Sequence, residues 1–155
     1  MYIYIFSLIL FIHSYQNNEK KIVSNVLDNL HKYASQANGE LYFELFNDSA
    51  IFFGTDATER WNKSDFKNYA QERFENGDGW TYYPISRNIF LNKDKNTAWF
   101  DEELKNDKYG VFRGTGVLTK ENNLWKINQY NLLLPIPNDL LIKYSKEIKI
   151  FLDND

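Results

Sequence analysis

The sequence predicts an α+β fold, with helices leading and an antiparallel sheet following. Three observations carry this expectation. Residues 19–35 repeat apolar side chains at the three- and four-residue spacing of a helix. From residue 80 onward the repeat changes to the alternation of strands. The alternating stretches are joined by short polar turns, which favour antiparallel neighbours. Helices and antiparallel strands are thus segregated along the chain, the α+β pattern.

Taken in order, Ile22, Val23, Val26, Leu27, Leu30, Tyr33 and Ala34 give the first helix one apolar face, with Glu19 in its first turn. A second, aromatic helix is expected at 39–47, capped by Asn38. Residues 49–54 (SAIFFG) read as a short strand. A third helix is expected over 64–76, capped by Asn62 or Ser64 and stopped by Gly77 and Gly79. Strands follow at 80–91, 97–105, 110–120 and 124–134, separated by KDKN, NDKYG and KENN. Pro135 and Pro137 end the last strand, and a C-terminal helix begins at Asn138.

The chain has 155 residues and 43% hydrophobic content, which suits one folded core and excludes wholesale disorder. Net charge is -3, without the basic balance of a nucleic-acid reader. No Cys is present, so thiolate metal sites, disulfides and Cys nucleophiles are excluded. No His/carboxylate cluster has metal-ligand spacing, and neither a metal nor a cofactor is expected. Aromatic residues are plentiful, with 4 Trp, 11 Tyr and 12 Phe.

Residues 1–16 contain no Asp, Glu, Lys or Arg. Their apolar run, Tyr2 to Ile12, is too short for a membrane span and matches the core of a secretory signal. The expected organisation is a signal peptide at 1–16, a folded domain at 19–138 and a C-terminal helix at 139–155 that packs on or extends it. The implied location is periplasmic or secreted, with no stable membrane span in the mature form.

The strings FFGTDATERW (52–61), AWFDEEL (98–104), YGVFRGTGVL (109–118), LWKINQYNL (124–132) and PIPND (135–139) resemble the SnoaL-like domain of the nuclear transport factor 2-like superfamily. The resemblance implies a curved antiparallel sheet wrapped around the N-terminal helices as a cone-shaped α+β barrel. It also implies an internal pocket and a homodimer formed through the sheet. It does not imply one activity, because isomerases, dehydratases, cyclases and assembly domains share this fold.

Strand alternation gives a candidate pocket. If Lys126 and Lys120 face outward, then Trp125, Ile127, Gln129 and Asn131 face inward, as do Arg113, Thr115 and Val117. Strand 97–105 offers two faces, Trp99/Asp101/Glu103 and Ala98/Phe100/Glu102/Leu104. The first is taken as inward, which places Asp101 beside Arg113. Trp99, Arg113, Thr115, Gln129, Asn131, Trp61 and Asp56 are then the candidate ligand-binding residues. Asp101 is the candidate catalytic base, and Arg113 or Tyr42 would steady an oxyanion. The polar excursion 54–61 would rim the mouth, or would be an ordinary turn held by Asp56. Gly114 and Gly116 mark a bend or a close backbone approach. His31 is expected to be structural or exposed.

The functional expectation is a domain that binds a small, partly apolar molecule in an aromatic-lined pocket. An isomerase, cyclase or dehydratase using Asp101 is the first alternative. A non-catalytic dimerisation module, with Phe112, Leu118 and Tyr130 at the interface, is the second.

Overall fold

A computed structural model describes the backbone of residues 2–154 and the side chains of residues 18–154. The leader predicted at 1–16 lies outside the described side chains. The elements are α1 (Tyr2–Ser35), α2 (Gly39–Glu44), β1 (Phe46–Phe53), β2 (Arg60–Asn62), α3 (Lys63–Glu75), β3 (Tyr83–Leu91), β4 (Thr97–Asn106), β5 (Gly110–Glu121), β6 (Leu124–Leu133) and α4 (Asn138–Leu152). Among the described residues, no helix is long and apolar enough to cross a membrane.

Helix α1 buries Val23, Leu27, Leu30 and Ala34, one per turn, as the spacing predicts. Asn38 caps α2 by accepting the Leu41 amide, and Asn62 caps α3 by accepting the Asp65 amide. Gly77, at φ 78°, takes the left-handed conformation that stops α3. Helix α2 is shorter than predicted, and β1 therefore begins earlier, at Phe46.

The six strands form one curved sheet in the order β2-β1-β6-β5-β4-β3. Strands β3 to β6 make the predicted antiparallel meander. The β1–β6 pair is parallel, a long-range pairing with no local sequence signal. Strand β2 was not predicted; residues 54–59 are the turn of a β1–β2 hairpin. One sheet face packs on α1, and α2, α3 and β1 enclose an aromatic cluster of Tyr42, Phe43, Phe46, Phe66 and Phe74 joined by Trp80.

The structure reverses the predicted strand phases. In β4, Ala98, Phe100, Glu102 and Leu104 are buried, whereas Trp99, Asp101 and Glu103 are exposed. In β5, Phe112 and Leu118 are buried and Arg113 is exposed. Lys120 does not mark the solvent side, because its ammonium neutralises buried Glu19 of α1 at 2.8 Å. Strand β6 starts in the predicted phase, with Trp125 and Ile127 buried. A bulge then pairs Val117 with Gln129 but Leu118 with Ile127. The extra residue, Asn128, sends Tyr130 and Leu132 inward and leaves Gln129 exposed and Asn131 half-buried. Across the β5–β6 pair, Arg113 lies opposite Leu133 and Thr115 opposite Asn131.

Helix α4 follows β6 after the Pro135–Pro137 segment. All of its residues are exposed, including the predicted stripe of Leu140, Leu141, Tyr144, Ile148 and Leu152. Its N-cap position is Pro137, with no side-chain cap.

Candidate functional site: a buried carboxylate behind an aromatic cleft

The most polar point of the interior is Glu102, only 2% exposed on the α1-facing side of β4. Its position follows from alternation with Phe100 and Leu104, and it is tolerated there because donors surround it. Nε2 of His31, from α1, lies 2.9 Å from Oε1. The Tyr130 hydroxyl donates to the same oxygen at 2.8 Å. Arg87 of β3 donates from Nε to Oε2 at 2.8 Å, with Nη2 2.7 Å from that oxygen. Arg87 Nη1 also reaches α1, donating to Asp28 at 2.7 Å and to the Ser24 carbonyl and hydroxyl. The network therefore ties β3, β4 and β6 to α1.

Burial alone would raise the Glu102 pKa. The His31 hydrogen bond and charge, the Arg87 charge and the Tyr130 hydroxyl outweigh it and hold the carboxyl below its usual value. Tyr130 is pushed well above the usual phenol range, first by its burial and then by the adjacent Glu102 charge. Gly114 makes room for this arrangement. A Cβ there would sit 2.4 Å from the Tyr130 hydroxyl and 2.9 Å from Glu102 Cγ.

His31 and Tyr130 border a small recess of about 20 Å³, room for about one water molecule. Its other walls include Tyr42, Phe52, Trp80 and Tyr82. Phe52, Trp80, Tyr82 and Leu132 also line a much larger open cleft of about 770 Å³. Trp61, stacked on Tyr69 at 5.1 Å, and Phe112, edge-on to Tyr82 at 5.1 Å, complete its apolar walls. Glu59, Arg73 and Lys108 lie at its rim. The cleft is within the size range of small-molecule sites, whereas the small recess is not.

Of the candidate ligand residues, Trp61 lines this cleft. Asp56 lies in the β1–β2 turn, where its carboxylate accepts the Thr58 amide and hydroxyl at 2.8 and 2.6 Å. Those bonds lower the Asp56 pKa. Trp99, Asp101, Arg113, Thr115, Gln129 and Asn131 do come together, but on the opposite sheet face. Asp101, Thr115 and Asn131 form one cross-strand row, and Trp99, Val117 and Gln129 the next. Asp101 accepts from Asn88 at 3.0 Å and borders, with Arg113, an outer groove of about 380 Å³. Tyr42 is buried beside the small recess, where burial raises its pKa. The sequence reading passed over Arg87, Glu102 and Tyr130. Their available signal was that β4 places Glu102 on the strand's most apolar face, where a carboxylate requires buried donors. Among the described residues, no metal-ligating group of three or more His, Cys, Asp or Glu side chains occurs.

A curved sheet folded over N-terminal helices, with an aromatic cleft at one end, is the architecture of the nuclear transport factor 2-like superfamily. Residues 23–137 match the SnoaL-like domain family, and the chain belongs to that family. It is similar to an uncharacterised cystatin-like-fold protein from Caulobacter vibrioides (TM-score 0.67, 10% identity, covering 81% of this chain and 99% of that one). It is also similar to a protein of unknown function from Pseudomonas putida, described as NTF2-like (TM-score 0.66, 8% identity, covering 80% and 91%). A candidate scytalone dehydratase from Novosphingobium aromaticivorans aligns with a TM-score of 0.64 at 11% identity, covering 78% and 87%. At such identities these likenesses establish the fold alone. The comparison with curated proteins returns no match.

Proposed function

We propose that the domain binds a small, partly apolar molecule in the cleft walled by Phe52, Trp61, Trp80, Tyr82 and Phe112. The carrying observation is the cleft itself, about 770 Å³ of open space with aromatic walls. Trp61 is the best residue for a test, because it is half-exposed and packs at the rim on Tyr69. With anilinonaphthalene sulfonate as the probe, Trp61→Ala is expected to weaken binding about tenfold or more while leaving the thermal midpoint within a few degrees. Equal affinity in the two proteins would overturn the reading.

A second reading, proton transfer on the bound molecule, is favoured by one observation. His31 and Tyr130 both line the small recess whose walls Phe52, Trp80, Tyr82 and Leu132 are shared with the cleft. In that reading His31 carries the proton, and the Tyr130 hydroxyl stays on Glu102 and helps to fix the carboxylate. Glu102 would orient the His31 ring. Loss of turnover with unchanged binding in His31→Gln supports it, and full turnover in that variant removes it.

Two attributes rest on narrower grounds. Export follows from the apolar, uncharged residues 1–16, and N-terminal sequencing of protein recovered from outside the cytoplasm tests it. Self-association through the outer sheet face is supported by the exposed Phe90–Trp99 stack, 5.9 Å between centroids. Phe112, Leu118 and Tyr130, expected at that interface, are buried in the core instead. A monomer at high concentration by light scattering would remove this reading.

A further inference from the structure

The cleft walls are apolar, but the rim is charged. Arg73, in the last turn of α3, places its guanidinium 5.9 Å over the Trp80 ring. Lys108, in the β4–β5 turn, places its ammonium 4.7 Å over Tyr109. All four of these residues line the cleft. Among the described residues, neither cation has a carboxylate partner, whereas Arg87, Lys63, Lys105 and Lys120 all do. The single rim carboxylate, Glu59, is turned back into its own loop, where Oε2 accepts the Asp56 amide at 3.1 Å. A chain of net charge -3 therefore presents two unpaired cations and one engaged anion around an aromatic slot.

From this arrangement we infer that the cleft selects planar aromatic molecules bearing a carboxylate, with the ring system between Trp61 and Tyr82 and the carboxylate at Arg73 and Lys108. The inference rests on the proposed ligand-binding function and adds the charge of the ligand to it. A guanidinium lying over an aromatic face leaves its N–H edge free to receive a carboxylate. A charge-assisted hydrogen bond of this kind is strong enough to separate an acid from its neutral isostere by about tenfold. Glu59 works in the opposite direction. Its negative charge at the rim disfavours a second carboxylate, and its removal should tighten binding.

The test is calorimetric titration of the full chain with naphthoate and with naphthamide, its uncharged isostere. The expected result is about tenfold tighter binding of naphthoate, with the preference reduced to about twofold or less in Arg73→Gln/Lys108→Gln. Binding of naphthamide should be unchanged by that double substitution, which shows that the cleft remains intact. Glu59→Gln should strengthen naphthoate binding about two- to threefold. Equal affinity for the two probes, or a preference that survives the double substitution, overturns the selectivity while leaving the ligand-binding reading standing. Failure of both probes to bind counts against both.

Discussion

Asp101 and Glu102 are adjacent carboxylates on β4, yet they live in different molecules, chemically speaking. Asp101 points to the exposed face, where one hydrogen bond from Asn88 is its recorded partner. Glu102 points to α1, is 2% exposed and is held by His31, Tyr130 and Arg87. The difference shows that a strand's faces are set by what its charged groups can find, not by charge alone. A carboxylate with buried donors behaves as a core residue.

The largest expected effect follows directly. Glu102→Ala takes one of two carboxylate partners from the part-buried Arg87, leaving Asp28, and removes the buried acceptor for His31 and Tyr130. Breaking such a buried pair from one side costs about 3–5 kcal/mol. Urea unfolding should show that loss for Glu102→Ala, and Arg87→Ala should fall in the same range. A loss under about 1 kcal/mol would mean that water replaces the network.

Gly114→Ala tests the same side from the backbone. Its Cβ would press on the Tyr130 hydroxyl and on Glu102, and shifting both costs about 1–3 kcal/mol by the usual scale of overpacking. The neighbouring Thr115→Ala, on the other face, should change stability by under about 0.5 kcal/mol. Comparable losses at the two positions would erase the distinction between the faces.

The faces should also differ in their response to pH. The folded state holds the Glu102 carboxyl below the ordinary value of 4.5. Above pH 4.5 the carboxylate is charged in both folded and unfolded chains, and its contribution to stability is complete. As pH falls below 4.5 the unfolded chain takes up a proton first, and the contribution is lost through the folded pKa. The midpoint of urea unfolding should therefore drop in acid, and Glu102→Gln should flatten that part of the curve. Tyr130 acts at the other limit. Its raised pKa keeps the phenol neutral in the folded state, so stability should fall as pH rises past 10, less so in Tyr130→Phe.

The contrast between the faces also explains what the sequence disclosed. Element identities were legible, because the period of α1 and the alternation in β3 to β6 are local signals. Asn38 and Asn62 were legible as caps for the same reason. The strand phases were not, because β5 and β6 were phased by taking Lys120 and Lys126 as outward, and β4 by setting Asp101 beside Arg113. Lys120 breaks that assumption by neutralising Glu19, whose second oxygen accepts the Trp125 indole N–H at 2.9 Å. Glu102 breaks it with partners 71, 28 and 15 residues away. The Asn128 bulge then changes phase within β6, which no uniform alternation reproduces. The cleft was legible only through Trp61, since Trp80, Tyr82 and Phe112 meet there through long-range pairing.

The smallest expected effects are on the outer face. Asp101 and Arg113 are one register step apart, Asp101 opposite Thr115 and Arg113 opposite Glu103. Both are solvated, so whatever they share is screened and competes with side-chain freedom. Asp101→Asn and Arg113→Ala should each change stability by under about 0.5 kcal/mol. A double-mutant cycle should return a coupling near zero at physiological salt. The same substitutions should leave naphthoate binding unchanged, because the groove that they border is on the other side of the sheet from the cleft. A coupling above about 1 kcal/mol, or a loss of binding, would show that the exposed face communicates with the cleft through β4. Asp101 would then share its neighbour's function despite pointing the other way.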